Sequence, residues 1–165
     1  MATLRAYLFL LCVLTLIGCG FTLRGTDSVA MPINALQLQT APGDDLDRLL
    51  VENLRRSGVR VLEPGEEIDQ TYLLQLSPEQ FDQRAIASAG RARGAQYEVT
   101  LSTTAVLVLR GEVVAGPETL SVQRRHDEDT SNISGSAQAL EILRTEMRLD
   151  LANQILRRLQ VVDPP

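Results

Sequence analysis

The stretch Gln96-Tyr97-Glu98-Val99-Thr100-Leu101-Ser102-Thr103-Thr104-Ala105-Val106-Leu107-Val108-Leu109 is the clearest strand in the chain. Tyr97, Val99, Leu101, Thr103 and Ala105 share one face, and Glu98, Thr100, Ser102 and Thr104 share the other. Side chains on a strand alternate between its two sides, so one face is dry and the other wet. This is the pattern of an antiparallel sheet covered on one side only. Such a sheet needs neighbouring strands and a covering layer, and the flanking sequence offers both.

Downstream, Arg110-Gly111 and Gly116-Pro117 supply turns, and Glu118 to Arg125 returns as a final strand. Upstream, Thr71 to Leu76 reads as a strand with Tyr72, Leu74 and Leu76 on one face. Its continuation past Ser77-Pro78 toward Ile86 requires Pro78 at a bulge or an edge, because proline cannot donate to a ladder. Ala87 to Gly94 is a small, basic turn, and Glu63 to Gln70 is an acidic loop with Pro and Gly.

Asn34 to Thr40 alternates as a half-buried strand, and Ala41-Pro42-Gly43 turns the chain. Asp44 is placed to cap a helix, with Asp45 and Asp47 against its N-terminal dipole. Leu46, Leu49, Leu50 and Leu54 form one apolar stripe, and Ser57-Gly58 stops the helix before a second extended piece, Val59 to Leu62. Strand, helix and strand in about thirty residues make a βαβ-like unit with parallel strands.

After a polar loop over 127–135, Ser136 to Leu159 reads as a long helix. Leu143, Met147, Leu151, Ile155 and Leu159 recur every four residues, with Leu140 and Ala152 beside them. The expected fold is α+β: a two-layer sandwich in which two helices pack on one face of a mixed sheet of about four strands.

The chain has 165 residues with 44% hydrophobic content, too apolar for disorder. Its formal net charge of -5 argues against a general nucleic-acid binder. All 16 basic residues are Arg. Six of them (84, 91, 93, 110, 124 and 125) lie between Arg84 and His126 against three acids, Glu98, Glu112 and Glu118. The sheet half is therefore basic within an acidic protein. Arginine presents a planar fork that holds phosphate in bidentate fashion. Arg91, Arg93, Arg124 and Arg125, at turn or strand-end positions, are the candidate contacts for a phosphate-bearing ligand.

Catalysis and metal binding find little support. The sole histidine, His126, is followed at once by Asp127, and neighbours on an extended segment point apart. His126 is expected to be a solvated strand-end residue. There is no Gly-x-Ser-x-Gly elbow, P-loop or dinucleotide fingerprint. Asp127-Glu128-Asp129 lacks the spacing and the Gly of a calcium loop. One His and two Cys make a zinc site improbable. No enzyme activity, metal or cofactor is expected.

The N-terminus reads as an address. Met1 to Arg5 carries one positive charge, and Ala6 to Ile17 is apolar apart from Thr15. Twelve residues suit a signal-peptide core and fall short of the roughly 20 needed to span a bilayer. The run ends in the lipobox Leu16-Ile17-Gly18-Cys19. The expected organisation is a signal peptide over 1–18, a lipidated tether over 19–33 and the α+β domain over 34–165. Cys12 would leave with the signal. Cys19 would carry the only covalent group, S-diacylglycerol with an N-acyl chain. Two or more chains give stable anchoring without a spanning helix. Gly20, where an Asp would favour inner-membrane retention, points to the outer membrane.

The residues after the anchor, Cys19-Gly20-Phe21-Thr22-Leu23-Arg24-Gly25, resemble the mature terminus of the LPS-assembly lipoprotein family LptE. Ala95-Gln96-Tyr97-Glu98, opening a long alternating strand, is similar to that family as well, as are the element order and the length. The resemblance implies a non-enzymatic outer-membrane lipoprotein, facing the periplasm or seated inside its partner, the β-barrel LptD. It further implies a role as barrel plug and lipopolysaccharide-binding subunit, with contacts near the Arg91–Arg93 turn. The start of the last helix reads Ser134-Gly135-Ser136, which departs from the basic residues of relatives at a second contact. The alternative is a lipoprotein adaptor of another cell-envelope transport or cell-wall machine.

Overall fold

The computed structural model describes residues 31–41, 45–66, 71–88, 94–129 and 131–162. Six strands and two helices follow in the order β1 (Ala35–Gln39), α1 (Asp45–Arg56), β2 (Arg60–Leu62), β3 (Tyr72–Leu76), β4 (Gln80–Ser88), β5 (Gly94–Leu109), β6 (Glu112–Asp129) and α2 (Ile133–Gln160). The architecture is α+β, with both helices against one side of a mixed sheet, as the alternation of residues 96–109 implies. The sheet has six strands rather than about four, because Arg60–Leu62 and the 80–88 segment both pair.

β5 organises the sheet. It has 16 residues, about 50 Å at the usual rise. β6 pairs antiparallel along its length, from Leu109↔Glu112 to Gly94↔Asp129. Its other edge is shared end to end: β3 takes the C-terminal part (Tyr72↔Leu109 to Leu76↔Ala105) and β4 the N-terminal part (Gln80↔Ser102 to Ser88↔Ala95). β1 lies parallel between β3 and β2, completing the βαβ unit.

The joint between β3 and β4 is a bulge: Ser77, Pro78 and Glu79 stand opposite Thr103 and Thr104. The Ser77 N–H donates to the Thr104 carbonyl at 2.9 Å. The Thr104 N–H donates to Ser77 Oγ at 2.8 Å, and Thr103 Oγ1 donates to the Ser77 carbonyl at 2.8 Å. Pro78 thus takes the bulge its missing N–H requires. The same bonds satisfy Thr103, a hydroxyl buried on the dry face.

The core lies between the layers. Leu36, Leu74, Val99, Leu101, Leu107, Leu109, Leu120 and Val122 face Leu46, Leu50 and Leu54 of α1 and Met147, Leu151, Ile155 and Leu159 of α2. Each such side chain stabilises the fold by about 1.5–3 kcal/mol relative to exposure. Met31 and Ile33 are also buried in this core, so the packed unit includes residues that the sequence placed in the tether. β6 runs on to Asp129 and α2 begins at Ile133, which shortens the polar loop expected over 127–135. Asn132 caps α2, its Oδ1 accepting from the Gly135 N–H at 3.1 Å.

Candidate functional site: the open face of the sheet

The helices cover one face of β5 and β6 and leave the other face, continued by β4, open. Strand register fixes what stands there. Arg84, Glu98 and Arg125 form one row across the three strands, and Asp82, Thr100 and Gln123 form the next. Arg84 holds Glu98 with a guanidinium–carboxylate distance of 3.1 Å. Gln96 donates to Asp127 at 2.8 Å, and the Thr104 and Thr119 hydroxyls lie 3.1 Å apart. From Thr104 to Gln96 the face presents amides, hydroxyls and charges without an aliphatic side chain on β5 or on facing β6 positions. Toward the β5–β6 turn it becomes apolar, where Leu73, Val108 and Val113 share a row and Val113 is 59% exposed.

The turn itself is two residues long. Arg110 and Gly111 both have positive φ, 53° and 82°, as a type I′ hairpin demands. Further along β6, Gly116 and Pro117 bulge against β5, joined by a cis peptide. Beneath this bulge a small cleft of about 40 Å³ opens between the sheet and the C-terminal end of α2. It is lined by Leu107, Leu120, Ile155 and Leu159, and Glu118 and Arg158 pair across its rim at 2.7 Å.

The sequence-derived arginines separate. Arg125 is exposed on the open face beside Glu98. Arg124 points to the other side and pairs with Asp150 of α2, where it ties the helix to the sheet. Arg91 and Arg93 lie outside the described residues, as does Cys19. The described strands on either side of them end at Ser88 and begin at Gly94, at the sheet end where Asp127, Glu128 and Asp129 also stand.

Each of those acids already accepts a hydrogen bond from a neutral partner. Gln96 serves Asp127. Ser131 serves Asp129 through its hydroxyl at 2.6 Å and its N–H at 2.8 Å, holding the Asp129 carboxyl below the usual carboxylate range. Tyr97 bonds Glu128; that bond, then the nearby negative charge, raises the phenol above its ordinary value.

His126 is not a solvated strand end. It is 7% exposed, on the helix-facing side of β6. The cause is the extension of β6 to Asp129, which carries His126 under the layer formed by α2. Asp127 points to the opposite face, so the two form no dyad. No cluster of three or more His, Cys, Asp or Glu able to hold a metal occurs among the described residues. No described helix is long and apolar enough to cross a membrane.

Sequence reading missed the Arg84–Glu98–Arg125 row. Counting back from the Arg110-Gly111 turn places Glu98 opposite Gln123. Two successive irregularities in β6, one at Val114 and one at Gly116-Pro117, each shift the register by one residue and bring Arg125 there instead.

Comparison with known proteins agrees with this architecture. The family model LptE, lipopolysaccharide-assembly, matches residues 28–159. The LPS-assembly lipoprotein LptE of Pectobacterium atrosepticum is 31% identical over 155 residues, covering 93% of this chain and 83% of that relative. The Yersinia enterocolitica protein of the same name is 31% identical over 154 residues, covering 92% and 73%. Among solved structures, the rare lipoprotein B of Shewanella oneidensis superimposes with a TM-score of 0.67 at 23% identity, over 76% of this chain and 93% of that one. The superposition shows a shared fold. On the family match over most of the chain, this protein belongs to the LptE family of lipopolysaccharide-assembly lipoproteins.

Proposed function

We propose that this chain is a non-catalytic subunit of the machinery that places lipopolysaccharide in the outer leaflet of the outer membrane. It is held there by acyl chains on Cys19 and complexed with the β-barrel LptD. The observation that carries this reading is the division of the molecule into a helix-covered face and an open polar one. A body seated in a wet barrel lumen needs a hydrogen-bonding surface that keeps its solvation, and Gln96, Glu98, Thr100, Ser102 and Thr104 provide one along β5.

Lipopolysaccharide phosphates are met, in this reading, by Arg91 and Arg93 in the sequence between β4 and β5, with Arg125 on the open face. Hydrogen bonds from Gln96, Tyr97 and Ser131 occupy the three β6 acids at that end. Arg124, engaged with Asp150, contributes to packing.

Extraction in mild detergent and capture of this chain tests the complex. A large β-barrel recovered in stoichiometric amount supports it, and recovery of only inner-membrane or cell-wall partners refutes it. Exchange of Arg91 and Arg93 for Glu tests the site. Weaker lipopolysaccharide binding at unchanged thermal stability is expected, and unchanged binding removes the assignment.

A further inference from the structure

The two long outer strands of the sheet end differently. α2 runs over β6, and its Gln154 side chain bonds the Ser121 carbonyl of that strand. β4 has no such guard. Its inner edge pairs with β5, and no strand pairs with its outer edge among the described residues. Asp82, Gln83, Arg84, Ala85 and Ile86 are all exposed. The contact from the helix layer is Arg144 of α2, whose guanidinium lies 4.7 Å from the Phe81 ring centre. An outer edge strand presents unpaired N–H and C=O groups, a template for another strand unless its side chains forbid it.

The side chains of β4 oppose two registers, are neutral toward two and favour one. Consider two copies of β4 paired antiparallel about a two-fold axis. Centring the axis on Asp82 sets carboxylate against carboxylate, and centring it on Arg84 sets guanidinium against guanidinium; like charges directly opposite are destabilising. Centring it on Phe81 or Ala85 leaves both charges facing neutral residues. Centring it on Gln83 places Asp82 of each copy opposite Arg84 of the other, twice, and Phe81 opposite Ala85. In that register the open-face row reads Asp82 of the second copy, then Arg84, Glu98 and Arg125, with alternating sign across the seam. Arg84 already holds Glu98 on its inner side and is 77% exposed on the side chain, so its outer side is open to a second carboxylate.

We propose that β4 is a self-recognition edge, through which two copies of this chain join into one continuous sheet about Gln83. The interface is isologous, as closed two-fold dimers require. It is independent of the proposed role with the barrel, because it uses the chain free of that partner.

The test is cysteine capture in the full chain, extracted from membranes in detergent and separated from any copurifying barrel, with the parent as reference for Cys12 and Cys19. The proposed axis brings the two residues at position 83 directly opposite each other, within about 5.5 Å between Cβ atoms. Gln83→Cys is therefore expected to give a covalent dimer on mild oxidation. Gln80→Cys, whose two copies lie six residues apart along the seam, is expected to give none. Asp82→Arg and Arg84→Asp are each expected to weaken self-association by about tenfold in sedimentation. A mixture of the two variants is expected to associate again, since each charge then meets its opposite. Failure of Gln83→Cys to cross-link above the parent overturns the proposal. So does cross-linking by Gln80→Cys to the same extent, or self-association of either charge variant equal to that of the parent.

Discussion

Arg148 of α2 grips Glu79 in the β3–β4 bulge, its Nε lying 3.0 Å from each carboxylate oxygen. The glutamate side chain is 7% exposed and the arginine side chain 14%. A second oxygen partner, Asp45 at the start of α1, lies 3.3 Å from Arg148 Nη1. One guanidinium therefore joins both helices to the point where one edge of β5 passes from β3 to β4. A buried ion pair does not stabilise by its presence alone, because desolvation offsets the attraction.

Breaking the pair is another matter. Arg148→Met leaves Glu79 buried without its cation, and a loss of about 3–5 kcal/mol is expected on chemical denaturation. The double variant Arg148→Met, Glu79→Met removes both charges and should recover most of that loss. Equal instability of the single and double variants would show that packing, not charge, governs the site.

Gly116 sits at φ 88°, and a Cβ there would lie 2.5 Å from the Ala105 carbonyl oxygen. Gly116→Ala therefore combines a left-handed backbone with a backbone clash, and should destabilise by more than about 1 kcal/mol. Gly111 has φ 82°, but a Cβ there meets nothing within 4 Å. Gly111→Ala should cost less, and comparison of the two melting temperatures separates strain from collision.

Thr103→Val is nearly isosteric but removes the hydroxyl that donates to the Ser77 carbonyl. Loss of one buried hydrogen bond is expected to cost about 1–3 kcal/mol. Hydrogen exchange should quicken first at the Thr104 and Ser77 amides, which staple the same bulge.

Asp129 gives the β6–α2 connection a pH dependence whose sign follows from its partners. Ser131 favours the charged carboxylate and lowers its pKa in the folded state. Stability from this group is present above the ordinary value of about 4 and is lost as pH falls through the lowered folded value. Acid titration of Ser131→Ala, followed by thermal melts, should show a smaller acid-side loss than the parent. An unchanged acid limb would remove Asp129 as its source.

Much of this molecule was legible in the residues themselves. The alternation of residues 96–105 determined which face of β5 is dry. The four-residue recurrence of Met147, Leu151, Ile155 and Leu159 determined the face of α2 that covers it, and Pro78 announced the bulge. These signals are local, because side-chain period and the missing proline N–H act within a few residues. What only the tertiary structure decided is register and reach. Glu98 meets Arg125 because irregularities at Val114 and at Gly116-Pro117 each slide β6 by one residue. His126 is buried because β6 extends under α2, and Arg124 is drawn to Asp150 by the helix packed on that face. Such pairings join residues 26 or more positions apart. No periodicity within one segment encodes them, since they depend on how far each strand has slipped before the core closes over it.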